Sequence, residues 1–70
     1  MFMVSIGTTF KSTEVIPVAG RYQCVVCKLV VDVPAHVVSM GKTFFACPIC
    51  HAGEEGGAKG PHEEVWEYLG

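Results

Sequence analysis

Two short segments decide how this chain reads: Tyr22-Gln23-Cys24-Val25-Val26-Cys27 and, after a nineteen-residue spacer, Cys47-Pro48-Ile49-Cys50. Each C-x-x-C lets one tight turn offer two sulfurs to the same ion. Backbone N–H groups in such a turn can also point at the thiolates and lower the cost of their charge. Two turns supply four ligands, and zinc prefers a tetrahedral shell of this kind. The separation of the pairs lies in the range of zinc sites. Cys24, Cys27, Cys47 and Cys50 are therefore the expected metal ligands, holding one Zn²⁺ per chain. Iron fits the same sulfur geometry and stays a second possibility.

Size makes such a staple necessary. A chain of 70 residues buries too little of its own surface for a comfortable core. Alone, a core of this size supplies no more than about 3–5 kcal/mol, whereas a structural zinc contributes roughly 10–16 kcal/mol at neutral pH. Half of the residues are hydrophobic and 17% are charged, which excludes a disordered composition. One metal-stabilised domain over residues 1–70 is expected, with its metal core at about 20–51.

Four cysteines could instead form two disulfides in a secreted protein. Met1–Phe10 lacks the basic start, long apolar run and cleavage site of a secretory signal. No stretch reaches the length of a membrane span. These observations set a cytoplasmic expectation, where thiols stay reduced and open to metal. A redox C-x-x-C is disfavoured, because such a pair usually occurs once, at a helix start in a βαβ setting.

The formal charge is −2. Four thiolates and one divalent ion together add two negative charges, bringing the loaded chain to about −4. The five basic residues, Lys11, Arg21, Lys28, Lys42 and Lys59, do not cluster. Nucleic-acid binding relies on concentrated Lys and Arg, so it is not expected. The acids Glu54, Glu55, Glu63, Glu64 and Glu67 read as solvated and not as an acid–base pair, and no catalytic constellation is visible. A shell of four protein sulfurs leaves no position for water, which also argues against hydrolytic chemistry. The reading is of a structural metal site in a non-enzymatic protein-interaction or accessory module, with the oligomeric state left open.

Along the chain, the shared parity of Phe2, Val4 and Ile6 suggests a strand with one buried face within Met1–Phe10. Lys11–Gly20 reads as irregular. Lys28–Val33 is valine-rich and reads as a strand ended by Pro34. His36–Met40 is expected to continue on the return side to a turn at Met40-Gly41-Lys42. Thr43–Ala46 is expected as a second strand running into the second cysteine pair. Residues 52–60 carry Gly53, Gly56, Gly57 and Gly60 and read as a mobile loop. Pro61–Leu69 admits a short helix or a strand with Trp66 and Tyr68 on one face; the strand is favoured. The aromatics Tyr22, Phe44, Phe45, Trp66 and Tyr68 are expected to fill the core around the metal turns. His51 is expected outside the ligand shell, and His36 and His62 on the surface.

The two cysteine segments resemble the metal knuckles of the rubredoxin-like and zinc-ribbon group. Tyr22, two residues before the first cysteine, and Pro48, inside the second pair, match rubredoxin. The resemblance spans about Gly20 to His51. It implies a small antiparallel sheet with a metal held between two knuckles, that is, a rubredoxin-like zinc ribbon. It also implies an iron electron carrier or a nucleic-acid-binding ribbon as alternative functions. Rubredoxin knuckles usually place glycine after the second cysteine, where this chain has Lys28 and His51. The spacer is shorter and lacks the acidic, aromatic insert. These departures favour structural zinc over electron transfer.

Overall fold

The computed structural model describes residues 4–70. Its frame is a four-stranded sheet with every pairing antiparallel, in the order β1-β4-β2-β3. The strands are β1 (Thr9–Lys11), β2 (Gly20–Cys24), β3 (Val30–Val33) and β4 (Glu64–Tyr68). One short helix, α1 (Ala35–Ser39), follows β3.

The favoured strand reading of Pro61–Leu69 agrees with β4, which is a central strand. It pairs with β1 through Phe10↔Trp66 and with β2 through Tyr22↔Tyr68 and Cys24↔Trp66. A strand flanked on both sides must carry residues suited to burial, and Val65 and Trp66 are both fully buried. Trp66 and Tyr68 lie on one face, opposite Cys24 and Tyr22. Tyr22 stacks at a tilt on Tyr68 and meets Phe10 and Phe44 edge to face, with centroids 5.0–6.0 Å apart. Such contacts add to the apolar burial of each ring. The buried Tyr22 hydroxyl donates to the Val18 carbonyl at 2.7 Å. Burial, with Tyr68 adding to it, raises the Tyr22 pKa, and the bond to Val18 opposes the shift. Phe45 departs from the expected core set: it is half-exposed and its ring meets Trp66 edge to face.

Three sequence expectations are corrected. Among the described residues of the proposed strand in Met1–Phe10, strand begins at Thr9. Gly7, at φ 94°, breaks the extended run in a turn where Thr8 N–H donates to Ser5, and Ile6 is 74% exposed. Phe2 lies outside the described residues. His36–Met40 is largely helical rather than extended, because Pro34 ends the ladder and the following backbone closes on itself through Val37 N–H to Pro34 and Met40 N–H to His36. The turn at Met40-Gly41 is present, with Gly41 at φ 71°. Thr43–Ala46 is not a strand. It makes an isolated bridge, Thr43↔Val15, flanked by Ile16 N–H to Lys42 and Phe44 N–H to Glu14. Pairing stops there because Phe44 turns into the core and the Phe45 carbonyl is taken by a side chain, Trp66 Nε1–H, at 2.7 Å.

Residues 52–60 are turns tied together by Gly53 N–H to Lys59, Glu54 N–H to His51 and Gly57 N–H to Glu54. The buried Ser12 hydroxyl reaches the carbonyls of Gly53 at 3.1 Å and Pro61 at 3.3 Å, joining this segment to the residue after β1.

Candidate metal centre

The first knuckle is the turn between β2 and β3, and the second lies between Phe45 and the glycine-containing turns. The two are built alike. Cys24 N–H donates to the Leu29 carbonyl at 2.8 Å and Lys28 N–H to the Cys24 carbonyl at 3.0 Å. In the second knuckle, Cys47 N–H donates to Ala52 and His51 N–H to Cys47, both at 2.9 Å. Closing each turn this way requires a left-handed residue directly after the second cysteine. Lys28 (φ 67°) and His51 (φ 60°) are the two non-glycine residues with positive φ among the described residues. The glycine-favouring positions of the knuckle are thus present, and this chain fills them with side chains that the conformation disfavours.

The two turns bring the four sulfurs within 4.8 Å of one another. Cys24 Sγ lies 3.6 Å from Cys50 Sγ, and Cys27 Sγ lies 3.4 Å from Cys47 Sγ. A tetrahedron with metal–sulfur bonds of about 2.3 Å has edges of about 3.8 Å. The sulfurs are therefore spaced for a shared ion, and none is bonded to another. No histidine joins the cluster, and His36, His51 and His62 are exposed, as the sequence suggests.

The thiols sit in an environment prepared for negative charge. Val26 N–H points at Cys24 Sγ from 3.4 Å. The N–H groups of Cys50 and Ile49 face Cys47, that of Leu29 faces Cys27, and that of Ala52 faces Cys50. Cys47 and Cys50 do not share this preference for charge evenly. Burial works against ionising Cys47, yet the Cys50 and Ile49 N–H groups and neighbouring thiols outweigh it and lower its pKa to about 7. Cys50 is pushed up to about 12 by burial and by Cys24, Cys47 and Cys27, against the Ala52 N–H. Backbone N–H groups and neighbouring thiols thus push Cys47 and Cys50 in opposite directions.

The sheet and core hold the knuckles in register. Val25 N–H donates to Val65 at 2.8 Å, tying the first knuckle to β4. Trp66, on the same strand, holds the Phe45 carbonyl just before the second knuckle. One central strand therefore positions both halves of the centre.

Sequence reasoning missed the pair between His51 Nδ1 and Glu54 Oε2, 2.6 Å apart at the second knuckle. The signal available was their three-residue spacing immediately after Cys50. It also missed an open cavity of ≈ 640 Å³ lined by Cys50, His51, Glu54, Glu55 and the backbone through Ala58.

No protein-family profile, curated protein or solved structure matches this chain. The chain is a small four-stranded antiparallel fold carrying a cysteine cluster that could bind a metal ion. Among the described residues no helix is long and apolar enough to cross a membrane.

Proposed function

We propose that this chain is a non-enzymatic zinc module in which Cys24, Cys27, Cys47 and Cys50 close around one structural Zn²⁺. The observation that carries this reading is the convergence of four sulfurs, from two matching turns, to spacings close to a tetrahedral edge. All four ligand positions of a zinc shell are taken by protein, which leaves the ion nothing to activate and gives it a structural role. The role outside the molecule is that of an accessory module meeting another protein in the cytoplasm. Val26, Phe45 and Ile49 on and beside the knuckles expose apolar surface of the kind that protein contacts use.

The test is elemental analysis of protein produced in medium containing both zinc and iron, paired with chelator-driven unfolding. One zinc per chain, lost together with the fold, is the expected result. One iron per chain with a reversible one-electron wave would replace this reading with electron transfer. Protein that is folded and free of metal would refute it.

A further inference from the structure

The centre is symmetric in its backbone and asymmetric in its surroundings. In each knuckle the first cysteine is sealed, with Cys24 and Cys47 both 0% exposed, while the second, Cys27 or Cys50, is half-buried. By burial alone, Cys27 and Cys50 are alike. What separates them is the chain that follows. After Cys27, β3 continues the sheet. After Cys50, the backbone turns back on itself through Glu54 N–H to His51 and Gly57 N–H to Glu54, and leaves the open cavity beside Cys50. Cys50 lines that cavity and Cys27 does not. The turn is tight at Gly57, where a Cβ would lie 2.0 Å from the His51 carbonyl oxygen. The rim is polar and acidic. Glu54 holds Nδ1 of the exposed His51 ring, and Glu55 is exposed beside it.

We infer that the metal centre opens on the Cys50 side, so that an incoming donor reaches the ion through the His51–Ala58 cavity and displaces Cys50 before any other ligand. This rests on the metal-site reading above. In the exchange, a bond forms between the ion and a nitrogen, oxygen or sulfur atom of the incoming ligand as the metal–Sγ bond of Cys50 breaks. The sulfur keeps the electron pair and takes a proton from water, and no oxidation state changes. The acidic rim favours neutral and cationic reagents over anionic ones. The class of ligand admitted is therefore a small, uncharged or positively charged donor.

The order of cysteine modification tests this. Zinc-loaded protein is treated with limiting iodoacetamide, which is neutral, and the labelled peptides are mapped by mass spectrometry while metal content is measured on the same sample. Cys50 is expected to be labelled several-fold ahead of Cys27, with Cys24 and Cys47 last. Ala58→Trp, which narrows the cavity without touching a ligand, is expected to slow labelling of Cys50 several-fold and leave Cys27 unchanged. Glu54→Gln with Glu55→Gln is expected to speed the anionic reagent iodoacetate at Cys50 more than iodoacetamide. Metal-loaded protein in which Cys27 reacts as fast as Cys50 overturns the inference and leaves the metal site standing. Protein without bound metal overturns both.

Discussion

Lys28 and His51 show most directly how single residues trade against the fold. Each closes a cysteine turn from the left-handed region, where a side chain costs about 1–2 kcal/mol relative to glycine. Lys28→Gly removes that strain while keeping the Lys28 N–H to Cys24 bond. Part of the gain is lost to the greater backbone freedom of glycine in the unfolded chain. The expected net result is a stabilisation of about 0.5–1 kcal/mol in denaturant unfolding of metal-loaded protein. His51→Gly should gain less, because it also removes the exposed pair with Glu54, worth up to about 1 kcal/mol. A Lys28→Gly protein less stable than the parent would show that the lysine side chain contributes more than its backbone costs.

At the scale of elements, β4 positions both knuckles, and Trp66 ties it to the chain entering the second through the Phe45 carbonyl. Trp66→Phe keeps an aromatic ring opposite Cys24 but abandons the Phe45 carbonyl and leaves unfilled volume. A loss of about 2–3 kcal/mol is expected in denaturant unfolding. Hydrogen exchange should rise around residues 45–50 more than in the β2–β3 hairpin, because Val25 N–H to Val65 survives the change. Ser12→Ala removes the hydroxyl bridging Gly53 and Pro61 and should cost about 1–2 kcal/mol. Its exchange signature belongs instead to residues 53–61. These elements also show what sequence reading can reach. Spacing alone singles out the four clustered cysteines, and valine and aromatic patterning marks β3 and β4. Thr43–Ala46 fails as a strand because a tryptophan side chain, 21 residues away, claims the carbonyl that a ladder would need. His36–Met40 fails as extended chain because the local closure after Pro34 outweighs the preference of Val37 and Val38 for strands. The His51–Ala58 cavity depends on a close approach at Gly57, which residue types alone do not reveal.

For the whole molecule, a metal bound as proposed would compete with protons for the same sulfurs that folding brings together. In an unfolded chain the thiols titrate near 8.5, so well below that pH all four carry protons. With a metal bound as proposed, all four would be held as thiolates. The stability they contribute is fully present above about pH 8.5 and is lost as pH falls. In the metal-free cluster Cys47, lowered to about 7, contributes in the same direction, whereas Cys50, pushed up to about 12, opposes it only at alkaline pH. Where the metal-free chain is unfolded, zinc binding should displace about four protons between pH 5.5 and 7.5. The logarithm of the apparent affinity should then rise by about four per pH unit there and flatten above about pH 8.5. Competition titrations against a chelator of known pH dependence measure this slope. A slope near two would mean that only one C-x-x-C pair holds the ion, and that the convergence of the two knuckles serves packing rather than a shared metal.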